Sequence, residues 1–262
     1  MRLRAPISTA ERYLAGAIFV VLLLAAWTAT TWGTPEARVV SPAVLGSPAE
    51  VLTSFKSLWF ERALTRNLLQ SIWRVLQGFG LSILVGVPVG VLCGTFPRFN
   101  AFLAPLSVFG RNVPISALVP ITLMWFGIDE LQKVMFIFVA TVMFVVFDVA
   151  RSVASVDEKY VQTARTLGAS SSQVLLGVLV PLALPEIFGS LRLLFGIAFG
   201  YIILAEMVNM TGGLGALILT SQRRGPMEHV YLVLVLITLV AFGIDRTLNA
   251  ISSWLFPYRE QD

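Results

Sequence analysis

YVQTARTLGASSSQVLLGVLVPLALPEIFGSLR, residues Tyr160–Arg192, is a short polar stretch that passes into a long apolar run. Tyr160–Leu167 reads as a short helix, and Gly168 suits the left-handed conformation that ends one. Ser170 or Ser171 supplies the side-chain oxygen of an N-cap, so a second helix starts almost at once. Ala164 and Gly168 are small and four residues apart, which leaves room for a partner surface to approach closely. The apolar run that follows, Val178–Val208, carries Pro181 and Pro185 at its start, where prolines are tolerated. A polar helix–glycine–helix connection between apolar blocks is the sign of a loop between membrane spans.

Composition agrees. Of 262 residues, 56% are hydrophobic and 13% are charged, and the mean hydropathy is +0.82. A soluble domain has about a quarter charged residues, and so few charges could not cover a solvated surface of this size. The net charge of +4 is explained by basic residues flanking membrane spans and needs no nucleic acid. Cys93 is the single cysteine and His229 the single histidine, so neither a disulfide nor a Cys/His metal site can be built.

Six apolar blocks organise the chain: Tyr13–Trp32, Asn67–Gly94, Phe99–Phe126, Leu131–Ala150, Val178–Val208 and Val230–Phe256. The first is about 20 residues, enough to span hydrocarbon as a helix, and its preceding Arg2, Arg4 and Arg12 make it a retained signal-anchor helix. Residues 1–66 thus read as an N-terminal span plus a loop. Within that loop, Ala49–Phe60 has apolar residues at helical spacing and is expected to form one short interfacial helix. Residues 67–257 form the main membrane body, with the polar loop at 157–177, and 258–262 a cytoplasmic tail.

Polar groups inside a membrane are costly and are functional candidates by default. The third block contains Pro105, Pro114, Pro120 and the pair Arg111-Asn112, so it cannot be one regular helix. Irregular backbone at that depth is tolerated where it is buried in protein or lines a cavity. Arg111, Asn112 and Pro114 are therefore candidates for a translocation pathway, with Arg111 suited to an anion. An equally open role for Arg111 is to cap the carbonyls freed at the break. Glu206 closes the fifth block ahead of Asn209-Met210-Thr211-Gly212-Gly213-Leu214-Gly215, which reads as an outer re-entrant turn or gate, making Glu206, Gly212 and Gly213 pathway candidates too. That turn lacks the Gly-Lys-Ser/Thr of a phosphate-binding loop. For Arg74, Asp148, Arg151, Asp245 and Arg246, helix-packing ion pairs or interfacial anchoring suffice, and Asp148 and Arg151 have the i,i+3 spacing to pair.

The loop also resembles the cytoplasmic coupling loop of ABC-importer permeases, whose pattern is Glu-Ala-Ala, three residues, Gly, nine residues, then Ile-x-Leu-Pro. Gln162-Thr163-Ala164, Gly168 and Val178-Leu179-Val180-Pro181 stand at that spacing, with Gln162 where the family has Glu. Arg111-Asn112-Val113-Pro114, Leu118-Val119-Pro120, Trp125-Phe126-Gly127-Ile128 and Ala205-Glu206-Met207 followed by Gly212-Gly213-Leu214-Gly215 resemble the permeases of nitrate, taurine, aliphatic sulfonate and bicarbonate importers. The resemblance implies an all-α polytopic membrane protein with six transmembrane helices, a five-helix type I core plus one N-terminal helix.

It also implies partners: a second permease chain, identical to the first, two cytoplasmic ABC ATPase subunits and an extracytoplasmic solute-binding protein. ATP and Mg then belong to the ATPase, and no cofactor or catalytic site to this chain. Glu158, Tyr160, Gln162, Ala164, Arg165, Gly168 and Ala169 become the ATPase-coupling residues. The expected location is the bacterial inner membrane, embedded in lipid, with both termini cytoplasmic. The Lys/Arg bias adds little: eight basic residues inside (Arg2, Arg4, Arg12, Arg98, Arg151, Lys159, Arg165, Arg259) face seven outside (Arg38, Lys56, Arg62, Arg66, Lys133, Arg223, Arg224). The solute expected is a small anion. Relatives also move thiamine precursors and other small organic solutes, and a proton-coupled secondary transporter or a channel is the competing class. The helix–glycine–helix loop argues against the latter, which has no use for it.

Overall fold

The computed structural model describes residues 8–208, 210–224 and 226–257. Arg2, Arg4, Asn209, Arg259 and the tail at 258–262 lie outside the described residues. Within them the chain is helical and contains no strand. In order, the helices are α1 (Thr9–Thr30), α2 (Pro48–Thr53), α3 (Phe55–Phe60), α4 (Leu64–Thr95), α5 (Pro97–Asn112), α6 (Ile115–Phe126), α7 (Glu130–Ala154), α8 (Glu158–Thr166), α9 (Ser171–Val174), α10 (Val180–Val208), α11 (Leu214–Arg224) and α12 (Met227–Leu255). One π-helical turn, Leu175–Leu179, joins α9 to α10. Five helical stretches are long and apolar enough to cross a membrane: α1, α4, α7, α12 and the continuous run Ser171–Val208. The pair α5 and α6, bent by 102°, makes a sixth if counted as one broken span.

Local sequence explains the boundaries. Ser8 with Glu11, and Ser47 with Glu50, form reciprocal capping boxes at the starts of α1 and α2. The expected single interfacial helix at 49–60 is divided at Ser54, whose backbone N–H bonds back to Glu50 O while its hydroxyl bonds Val51 O. The prolines of the third block behave unequally. Only Pro114 coincides with the break; Pro105 and Pro120 lie inside α5 and α6, as Pro88 and Pro185 lie inside α4 and α10. A proline forfeits one backbone bond, but in hydrocarbon every other backbone group still needs its partner, and the helix is the conformation that supplies it.

Contacts divide the described residues into two compact units, one within Met1–Leu64 plus Leu217–Leu236, the other within Thr65–Ala216 plus Ile237–Asp262. In the first, the Trp27 indole donates to Gly46 O (2.9 Å), the Tyr231 hydroxyl donates to Val44 O (2.8 Å), and Ser57 Oγ meets His229 Nε2 (2.8 Å). Arg38 grips Glu50 through two hydrogen bonds of 3.0 and 2.8 Å. This contact, with the Ser47 backbone N–H, holds the Glu50 carboxyl down at about 2. The pairing is therefore complete above the ordinary carboxylate range and is lost only as pH falls towards that value. Helix α1 buries no residue, as a helix facing lipid would.

The second unit is built around α7. Half of its most apolar window is buried, the largest share among the spans. Phe136, Ile137, Val145 and Val149 on α7 and Ala198, Phe199, Ile202 and Ala205 on α10 are essentially inaccessible, and the two helices pack together. Against α7 lies a stripe of small residues on α4: Gly78, Ser82, Gly86, Gly90 and Gly94. A Cβ added at Gly86 would stand 2.7 Å from Val145 Cγ1, at Gly90 2.7 Å from Val149 Cβ and at Gly94 2.6 Å from Val153 Cβ. Ser82 Oγ meets Thr141 Oγ1 at 2.8 Å in the same seam. With lipid as apolar as the side chains, close backbone approach of this kind is what holds spans together.

The seam generates a test. Gly90→Val must push α4 away from α7, at a cost of about 1–3 kcal/mol or more. Gly80, whose added Cβ meets nothing within 4 Å, should accept alanine without loss. Thermal unfolding of the purified chain in lipid nanodiscs should show a lowered midpoint for Gly90→Val and an unchanged one for Gly80→Ala.

Candidate functional site

Three places gather the residues that the sequence singles out. The first is the loop at 157–177. Asp157 opens α8, its carboxylate accepting from Lys159 N–H (3.0 Å) and pairing with Lys159 Nζ (2.8 Å). The Lys159 side chain, then its backbone N–H, hold the Asp157 carboxyl below the usual range. At the other end Ala169 N–H bonds to Ala164 O (3.0 Å), Gly168 N–H bonds to Arg165 O (2.9 Å), and Gly168 has φ +84°. This pair of bonds is a Schellman C-cap, in which the residues five apart also touch. Ala164 and Ala169 occupy those two positions, half-buried in the turn, so their small size serves the cap itself.

Ser170 then caps α9, with Gln173 N–H donating to its hydroxyl and Ser170 N–H donating to the Gln173 amide oxygen. Arg165 Nη2 donates to Ser171 Oγ (3.0 Å) and ties the two helices together. The result is a rigid knob. Helix α8 buries none of its residues, and Glu158, Tyr160, Gln162, Arg165 and Gly168 are all exposed. A Cβ on Gly168 would meet nothing within 4 Å in the chain, so its positive φ is the only internal demand for glycine.

The second place is the break between α5 and α6. Asn112 Nδ2 donates to Val108 O (2.7 Å) and so caps the end of α5. Arg111 has a different contact: its guanidinium carbon sits 3.4 Å from the centroid of the Phe147 ring on α7. The side chain is half-buried and its Nε is buried without a hydrogen-bond partner. Pro114, at the N-cap position of α6, is exposed. Of the two roles open to Arg111 in the sequence, capping of freed carbonyls falls to Asn112.

The third place joins Glu206, Gly212 and Gly213. Glu206 has no solvent exposure. Its carboxylate accepts from Arg74 Nη1 (2.7 Å), Ser71 Oγ (2.8 and 2.9 Å) and Gly215 N–H (2.9 Å). Leu214 N–H donates to Ser71 Oγ and Gly213 N–H to Asn67 Oδ1, so side chains of α4 and α10 satisfy the first turn of α11. Arg74 Nη1 also donates to Gly212 O (2.9 Å). Gly212 and Gly213 have φ of +113° and +99°, and any Cβ on Gly213 would overlap the Glu206 carboxylate. Sequence reasoning missed Asn67, Ser71, Glu130, Lys133 and Thr211 as members of this cluster. Glu130 and Lys133, an i,i+3 charged pair at the head of an apolar span, were the visible signal.

The pathway residues thus fall into two groups. Phe147, beside Arg111, and Glu130, beside Arg74, are 17 positions apart on α7, about 25 Å at 1.5 Å per residue.

Comparison with known proteins follows the same lines. The family described as "Binding-protein-dependent transport system inner membrane component" matches residues 86–256. The taurine transport system permease protein TauC of Escherichia coli (strain K12) is 30% identical over 244 residues, 91% of this chain and 87% of that one. The bicarbonate transport system permease protein CmpB of Synechococcus elongatus is 32% identical over 197 residues, covering 74% and 70%. The inward-facing MetNI methionine ABC transporter superposes with a TM-score of 0.67 at 21% identity, over 76% of this chain and 97% of that one, and shares the fold.

The Glu206 cluster can be tested without any assumption about transport. Glu206→Ala takes from Arg74 its buried carboxylate and from Gly215 N–H its acceptor, leaving Arg74 with Glu130 and Gly212 O, and should cost about 2–4 kcal/mol, below the cost of a wholly unpaired buried charge. Ser71→Ala removes a neutral hydroxyl that donates to Glu206 and accepts from Leu214 N–H, and should cost about 1–2 kcal/mol. Unfolding midpoints in nanodiscs should fall in that order, and a Glu206→Ala chain as stable as wild type would refute the assignment.

Proposed function

The chain belongs to the family of binding-protein-dependent transport system inner membrane components, and on that premise we propose that it forms the pathway for a small anion in an ATP-driven importer. Two copies line the pathway, two cytoplasmic ATPase subunits dock on them, and an extracytoplasmic binding protein delivers the solute. ATP and Mg are held by the ATPase, and this chain contributes no catalytic group. Both termini and the 157–177 knob face the cytoplasm of a bacterial cell, and the 210–213 turn faces outward.

The observation that carries this reading is the knob. Two helices capped against each other by a Schellman turn and a capping box form a stiff, exposed projection with Tyr160 and Leu167 on its surface, 46% and 83% exposed. A partner that changes shape can push on such a projection, whereas it would merely bend a flexible loop. The anionic solute is supported by taurine and bicarbonate in the relatives' names, both of which present a negatively charged oxygen group. It is supported too by Arg111, a half-buried guanidinium with an unpartnered donor beside a helix break. Broken helices lining a pathway are a recurrent transporter device.

Gly168→Asp places a Cβ at positive φ and a charge on the docking face. It should abolish ATPase co-purification and uptake while the chain still inserts in the membrane. Gly168→Ala, with only the conformational cost of roughly 1 kcal/mol, should be milder. Full transport by Gly168→Asp would remove the loop from the coupling path.

Arg111→Ala should leave the complex assembled and lower anion uptake about tenfold or more, the worth of a lost charged hydrogen bond. Arg111→Lys should restore it only in part, because an ammonium lacks the planar fork. Loss of assembly in Arg111→Ala with full rescue by lysine would assign Arg111 to structure alone.

A further inference from the structure

The Arg74 guanidinium is shared by two carboxylates of opposite character. Glu206 is fully buried and bound also by Ser71 and Gly215. Glu130 sits on the other edge, its two oxygens on Arg74 Nε (2.7 Å) and Nη2 (2.6 Å), a parallel two-point grip. Yet the Glu130 side chain is 61% exposed while that of Arg74 is 2% exposed. Lys133, whose side chain has no exposure, reaches Glu130 Oε1 at 3.4 Å and Thr211 Oγ1. Two buried cations are thus covered from outside by one exposed anion.

We propose that Arg74 and Lys133 form an oxyanion site, that Glu130 occupies it as a tethered surrogate, and that an incoming small organic anion takes Glu130's place. The proposal rests on the reading of the solute as an anion. The charge count supports it. With Glu206 immobilised, Arg74 and Lys133 carry one positive charge in excess until Glu130 closes over them. Only Glu130 is free to leave. Its side-chain bonds go to these two cations alone, whereas releasing Glu206 would also strip the first turn of α11 of its acceptor.

The recognition chemistry follows from the fork. Nε and Nη2 of Arg74 donate to any group with two coplanar oxygens about as far apart as those of a carboxylate, which includes sulfonate and bicarbonate. Glu130 is the first residue of α7, so an anion there is also favoured by the helix N-terminus. Beside Glu130 a groove of about 590 Å³ opens, lined by Gln77, Gly80, Leu81, Leu84, Leu131 and Val134. It offers one amide and otherwise apolar surface, suited to the short aliphatic part of an organic anion whose charged end is on Arg74.

The test uses the full-length chain in lipid nanodiscs, titrated calorimetrically with ethanesulfonate. Glu130→Gln keeps the shape but removes the competing charge, and should bind ethanesulfonate about tenfold tighter than wild type or better. Asp129→Asn removes an exposed charge from the neighbouring N-cap position, which makes no side-chain cap bond, and should change affinity less than about twofold. Glu130→Gln combined with Lys133→Met should lose the gain. If Glu130→Gln cannot be recovered folded, Glu130→Ala, which removes both the competing charge and the two-point grip, should give the same tightening.

An affinity in the folded Glu130 variant no higher than wild type, or an equal gain in Asp129→Asn, would overturn the proposal. Failure of the functional reading looks different: deleting the gene would leave sulfonate and bicarbonate uptake by cells unchanged, whatever the nanodisc titration gives.

Discussion

A single guanidinium, that of Arg74, sets the terms for one end of the membrane body. It is 2% exposed and inside a span, where an unpaired charge is among the costliest groups a protein can hold. Two carboxylates and a backbone carbonyl make it tolerable, and each arrives from a different part of the chain: Glu130 from the head of α7, Glu206 from the end of α10, and Gly212 from the turn beyond it. Burial of such a group stabilises little in itself, since desolvation offsets most of the attraction. Its effect is specificity. The arginine is satisfied only when these three helix ends meet at it, which ties α4, α7 and α10 together at this level.

The same face of α4 continues the argument. Asn67, Ser71 and Arg74 follow one another at four and three residues, and Gly78, Ser82, Gly86, Gly90 and Gly94 carry the row on at intervals of four. One end of the row bonds Gly213 and the first residue of α11, and the rest lets α7 approach to backbone contact. Polar anchoring and small-residue packing are thus two halves of one stripe. The anchors choose the register, and the glycines make that register the one in which Val145, Val149 and Val153 find room.

What was legible in the sequence was what depends on near neighbours. The apolar blocks match the spans because hydrocarbon permits little besides helix over such lengths. Helix α8, its Gly168 terminator and the Ser170 cap were readable because caps are made within six residues. Less local features were not. That Pro114 breaks a helix while Pro105 and Pro120 do not depends on what surrounds each. Leu214 and Gly215 read as the end of a turn, whereas they open α11, because the first N–H groups of that helix are satisfied by Ser71 and Glu206, far away in sequence. Ala164 looked like a contact for a partner, whereas its place at the Schellman cap gives it a reason inside the chain. Arg74 reads in the sequence as a helix-packing ion pair or an interfacial anchor, and it is an ion pair, but nothing in its own helix names Glu206, 132 positions later.

The two ends of this body are joined by one continuous helical run, Ser171–Val208. Its start is locked to the exposed knob through Ser170 and Arg165, and near its end Glu206 is locked to Arg74. A straight α-helix transmits displacement along its axis because each hydrogen bond resists stretching. The regular ladder of the run is interrupted by the π-helical turn at Leu175–Leu179, directly after the knob, and by Pro181 and Pro185 just beyond it. Such turns are frequent at functional sites and relax the regular ladder locally. A displacement of the knob is therefore absorbed within residues 175–185 or carried on along α10 towards the Glu206 cluster. Beyond the π-turn the buried contacts of Ala198, Phe199 and Ile202 hold α10 against α7 over much of its length, which leaves little compliance elsewhere.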